Sequence, residues 1–202
     1  MNSTYDSFDA PYKDAGADFR KSARIARAEA TKFERMGKRT EAAEALVRAC
    51  SSLEYLGEVL EHWSMAREVG GDVSGSVKVL RDEMAAYEEA ASLSHRRSEI
   101  LRQEMLALDR GNVKRNAMLR ARKEWVEACG VYLGALGKRV KSLHYLADAQ
   151  FRCGENGAAN KTVARRDEVA GAVKKAAPAW AAILDSVGDR KRATRARKLA
   201  KQ

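Results

Sequence analysis

Glu54, Glu58 and His62 stand four residues apart, a spacing that places two carboxylates and an imidazole on one helical face. A metal ion there needs further ligands from other elements, and the sequence points to none. His95 and His144 belong neither to an HExxH pattern nor to the Glu-x-x-His pair that di-iron bundles use. The trio therefore reads as a solvated face beside Trp63. Cys50, Cys129 and Cys153 lack CxxC spacing, which argues against structural zinc, and the first two adjoin apolar stripes as small core residues. Gly70-Gly71-Asp72-Val73-Ser74-Gly75 lacks the lysine and preceding strand of a phosphate cradle, and no GxGxxG or GxSxG occurs. The expectation is a protein that is not an enzyme and carries no cofactor or metal.

The cations carry more. Lys114, Arg115, Arg120, Arg122 and Lys123 form one cluster and Lys138, Arg139 and Lys141 a second. Lys161, Arg165 and Arg166 form a third, and Arg190, Lys191, Arg192, Arg195, Arg197, Lys198 and Lys201 close the chain. Side chains of this kind neutralise phosphates and release counterions, so nucleic acid is the expected partner. No zinc finger, RNA-recognition sheet or helix-turn-helix reader accompanies them, which directs the contact to backbone rather than bases. Trp125, Tyr132 and Trp180 fall on apolar stripes and read as core rather than as stacking platforms.

These cations are unevenly distributed along the 202 residues, whose formal net charge is +10. Up to Gly111 there are 17 Lys and Arg against 20 Asp and Glu, a net of −3; from Asn112 onward there are 21 against 8, a net of +13. Screening limits electrostatics to roughly 8–10 Å, so a polyanion at the second half feels local charge rather than the average.

Helices must position these groups. Residues 1–16, with the Asp9-Ala10-Pro11 turn signal, read as an irregular arm. Phe19, Ala23, Ala26, Ala30 and Phe33 then repeat at helical spacing until Gly37, a left-handed terminus, with Thr40 as N-cap of the next helix. Ala42, Leu46, Ala49, Leu53, Leu56, Leu60 and Trp63 continue to Val69. After the Gly70-Gly71 break, a seam from Val77 to Leu108 contains two serines, Ser94 and Ser98. A small-residue crossing point is the preferred reading of that pair; a polar notch for a partner is the alternative. The fourth helix, up to about Arg152, carries Gly130, Gly134 and Gly137, so a kink competes with continuity, while Gly130-x-x-x-Gly134 permits close helix contact. A fifth begins near Ala158 and meets Pro178, where it should kink or restart.

Met36-Gly37-Lys38-Arg39-Thr40-Glu41-Ala42 resembles the turn and second helix of a tetratricopeptide hairpin, and Cys153-Gly154-Glu155-Asn156-Gly157-Ala158-Ala159 is similar. They lie 117 residues apart, not at the roughly 34-residue period of such arrays. Small residues after a tight turn account for both.

The fold expected is all-α: an elongated antiparallel bundle of about five long helices with coiled-coil-like seams and a basic C-terminal helix or tail. Residues 17–111 form a near-neutral region, 112–188 a basic region packed with it as one domain, and 189–202 the basic tail. No apolar run is long enough to span a bilayer. From the polar start no secretory signal is expected, and the odd, scattered cysteines fit a cytoplasmic or other reducing intracellular compartment. The expected function is that of a structural or assembly subunit binding nucleic-acid backbone through its basic half, as in a nucleoprotein particle. Other protein subunits, including copies of itself, are further expected partners; a helical protein–protein scaffold is the alternative.

Overall fold

A computed structural model describes residues 3–110 and 115–199, with side chains for 9–109 and 116–198. Among the described residues there are six helices and no strand: α1 (Ser3–Arg35), α2 (Arg39–Val69), α3 (Val73–Arg110), α4 (Arg115–Arg152), α5 (Asn156–Ser186) and α6 (Arg190–Leu199). The protein is an all-α helical bundle in which neighbouring helices pack on each other. None of the helices is long and apolar enough to cross a membrane.

Four turns share one construction. Gly37, Gly71, Gly154 and Gly188 have φ of 71°, 83°, 76° and 81°, a region that L side chains rarely adopt. In each, the residue after glycine donates its N–H five residues back: Lys38 to Phe33, Asp72 to Arg67, Glu155 to Gln150 and Asp189 to Leu184. Such glycine-centred ends satisfy orphan carbonyls and stop the helix within one residue. The next helix starts at once, so each has to fold back beside its predecessor. Asp72 and Asp189 also cap the helices they precede, accepting from Gly75 N at 2.8 Å and Arg192 N at 3.0 Å. Thr40 caps nothing: α2 already begins at Arg39, and the Thr40 hydroxyl donates to Glu104 Oε1 at 3.1 Å.

Packing runs in chain order, α1 on α2, α2 on α3, α3 on α4, α4 on α5 and α5 on α6. Helices two apart meet through long side chains. Arg20–Asp82 (2.8 Å), Arg27–Glu89 (2.6 Å) and Arg96–Glu34 (2.8 Å) join α1 to α3, each pair 62 residues apart in sequence. A constant offset requires the two helices to run parallel and in register, as the antiparallel α2 between them dictates. Ala42, Leu46, Ala49, Leu53, Leu56 and Leu60 are buried as their spacing implies. Ser94 and Ser98 are buried too; Ser94 Oγ lies 3.3 Å from Cys50 Sγ, so small residues meet where α3 packs on α2, while Ser98 lies against Cys129 of α4.

One expectation changes, and three open alternatives are decided. The N-terminal segment is not an irregular arm, because α1 starts at Ser3 and passes through Pro11. Asp9, 2% exposed, accepts a 2.5 Å bond from Trp63 Nε1 and pairs with Arg67. These contacts hold the first turns on α2 despite the hydrogen bond and clearance that an interior proline costs. Pro178 does not restart a helix; α5 runs through it. Residues 190–199 form a helix, α6, whose Ala193 and Ala196 are buried in the second core cluster. α4 is continuous through Gly130, Gly134 and Gly137.

Candidate nucleic-acid interface

The four basic clusters meet different fates. Lys138 Nζ sits 3.0 Å from Glu54 Oε2 and 3.3 Å from Glu58 Oε1; Lys141 reaches Glu61 at 2.6 Å. Arg139 and Arg165 converge on Glu88 at 2.8 and 2.5 Å. Acids of the N-terminal half pair with all four: the three on α4 because that helix lies beside α2 and α3, and Arg165 by reaching from α5 to the Glu88 that Arg139 also uses. They leave the outward binding set. Burial alone would lower the Lys138 pKa; its hydrogen bonds and attraction to Glu54 and Glu58 outweigh that and raise it. The hydrogen bond to Glu61 does the same for Lys141. Among the described residues Arg166 pairs with adjacent Asp167 alone, and Lys161 is exposed with no acid partner.

The first and last clusters are brought together. Arg122 donates to Ser186 Oγ at 2.8 Å across 64 residues of sequence, which ties the start of α4 to the end of α5. Beside that bond a groove of about 380 Å³ is lined by Arg122 and Lys123 of α4 and Arg192 of α6, with apolar Leu119, Val126 and Val187 and the carboxylates of Glu127 and Asp189. Glu127 and Arg192 also line an adjoining groove of about 460 Å³, where Arg195 stands over Gly130, Gly134 and Gly137. A Cβ at Gly130 would meet Trp180 Cζ2 at 3.3 Å, whereas Gly134 and Gly137 face open space. Close contact thus involves the first glycine of that pair and Trp180, while the second floors the groove.

The remaining tail cations divide similarly. Arg192 is held 3.5 Å from Asp189, and Arg197 pairs with Asp185. Arg120 pairs with Glu124 at 3.0 Å along its own helix. Lys123, Arg190, Lys191, Arg195 and Lys198 are exposed and have no acid partner among the described residues. Lys114, Lys201 and the side chain of Arg115 lie outside the described residues. Trp180 is buried in the core, with Trp125 and Tyr132 packed against the same cluster.

The polar trio on α2 is not a free face. Glu54 and Glu58 serve Lys138, and His62 is exposed. Among the described residues no group of three or more His, Cys, Asp or Glu side chains could hold a metal. Net charge by halves also hides a row of arginines on α1. Arg20, Arg24, Arg27 and Arg35 keep helical spacing inside a region whose total is −3. Reading charge along each helix, as is done for apolar residues, would reveal it. No protein-family model matches the chain, and no curated protein matches it significantly.

Proposed function

We propose that this protein is a non-enzymatic assembly subunit that binds nucleic-acid backbone along the α4–α6 groove. One observation carries the reading. Cations from opposite ends of the basic half, Arg122 and Lys123 with Arg192 and Arg195, line two adjoining grooves on one side of the fold. Three of the four make no ion pair with an acid among the described residues; Glu127 lines both grooves and Asp189 the first, so the Arg192–Asp189 contact is the one a phosphate has to displace. Base readout is not part of the proposal: Trp125, Tyr132 and Trp180 pack into the core, and the exposed Tyr145 and Phe151 line neither groove. The free thiols of Cys50, Cys129 and Cys153 fit a reducing intracellular setting for such a particle.

The test is binding of a labelled duplex across a salt series. Each phosphate contact contributes about −0.9 to the slope of log K against log salt, so R122E/K123E/R192E/R195E should flatten that slope by about 3–4. No binding by the wild-type chain at about 50 mM salt overturns the reading. A protein–protein scaffold is the second reading, supported by the apolar floor of the groove at Val131, Leu133, Gly134 and Gly137. Oligomers that survive nuclease treatment, together with absent duplex binding, favour it.

A further inference from the structure

We infer that the cleft between α1 and α3 is a second binding site for nucleic-acid phosphates, separate from the α4–α6 groove and formed by the half of the chain whose net charge is negative. The inference rests on the proposed function for the identity of its ligand. It adds a site on the helix at the other end of the packing order.

The cleft has a volume of about 590 Å³. Arg24, Arg27, Lys32, Arg35 and Arg96 line it, and no acidic side chain does. Five cations around one cavity repel each other unless counter-charges intervene. Two are compensated from outside the cleft: Glu89 holds Arg27 at 2.6 Å and Glu34 holds Arg96 at 2.8 Å. Those acids fix the two guanidinium groups and leave other donors of each fork available. Arg24, Lys32 and Arg35 are exposed and have no acid partner among the described residues. The α1 dipole accounts for cations in the last turn, Lys32 and Arg35. It does not account for Arg24 and Arg27, two to three turns earlier, or for Arg96 arriving from another helix.

The chemistry selects the occupant. An excess of guanidinium groups in fork geometry suits phosphate oxygens, and the absence of acid in the lining removes the repulsion that a polyanion would otherwise meet. The cleft differs from a helix-docking groove because Ala28, Thr31 and Met36 are its non-cationic lining, too little apolar surface for a partner helix to bury.

The experiment is calorimetric titration of the full chain with a single-stranded oligonucleotide of about six nucleotides, too short to occupy both sites, at low salt. The wild-type chain should take up about two per chain. R24E/K32E/R35E should take up about one while keeping the affinity of the remaining site, and R122E/K123E/R192E/R195E should also take up about one. The milder R24Q/K32Q/R35Q, with helicity followed by circular dichroism, separates loss of the site from loss of fold. If the α1 variants bind as many oligonucleotides as the wild type, the second site is overturned, including the case where the cleft takes an acidic protein segment instead. If only the α4–α6 variant is without effect, the proposed function fails and the cleft between α1 and α3 stands alone.

Discussion

Lys138 of α4 is clamped between two carboxylates of α2, Glu54 at 3.0 Å and Glu58 at 3.3 Å, and its ammonium lies 5.7 Å from the centroid of the Tyr87 ring on α3. One side chain thus ties three helices. The arrangement also decides where the chain is not sticky to anions, because a residue with two carboxylates of its own offers no net charge outward.

Lys138→Met removes the cation and leaves Glu54 and Glu58 facing each other. Stability to urea should fall by about 1 kcal/mol, and by less in high salt. The lysine pKa is raised in the fold, so the stabilisation is fully present below the ordinary lysine range and is lost as pH climbs above it. A urea series at neutral pH and at high pH checks both.

Glu83 sets a pH dependence of the opposite origin. It is 1% exposed on α3, beside the equally buried Ser142 hydroxyl of α4. Burial pushes its carboxyl up to about 7; the Ser142 hydroxyl and Lys141 pull it down, and Glu61 pushes it up. The unfolded chain ionises first as pH rises, so the folded state holds the extra proton between about pH 4.5 and 7, and stability declines across that window. Glu83→Gln should abolish the decline and stabilise the protein by about 2–3 kcal/mol at pH 8, with little change at pH 4. Melting curves across pH measure it; an unchanged slope in the variant would remove Glu83 as the cause.

Asp9→Ala strips Trp63 Nε1 of its acceptor and leaves Arg67, 18% exposed, with Asp72 as its remaining carboxylate. Losing one member of such a part-buried network should cost about 3 kcal/mol. The first turns of α1 should become protease-sensitive before the rest, which limited digestion followed by mass spectrometry reports.

Gly57 lies under the ring of Tyr87, whose Cε1 is 2.5 Å from where a Cβ would stand. Tyr87 is 3% exposed and cannot swing away, so Gly57→Ala should destabilise by about 1–3 kcal/mol even though alanine is the better helix former. Pairing it with Tyr87→Leu should recover part of the loss, as paired urea titrations would measure.

The apolar stripes from Phe19 to Phe33 and from Ala42 to Trp63, and the glycines at 37, 71, 154 and 188, were enough to place the turns and the antiparallel order of the long helices, but not the start of α1, which depends on Asp9 reaching Trp63 and Arg67. Period and φ > 0 turns are local properties, written in consecutive residues. A single stripe, however, describes a helix with one neighbour. α2 also buries Ala43, Ala45, Cys50 and Gly57, because α1 and α3 flank it on both sides.

Which cations stay outward was decided only by the tertiary structure. Coulomb pairing acts over a few ångströms between residues that are 51 to 84 positions apart, as in Arg139–Glu88 and Arg152–Glu68, so counting charges along the chain does not reveal it. Counted along the sequence, Lys138 and Arg195 are equivalent and Arg24 belongs to an acidic half. Folding sets Lys138 between two glutamates and leaves Arg195 and Arg24 facing open grooves.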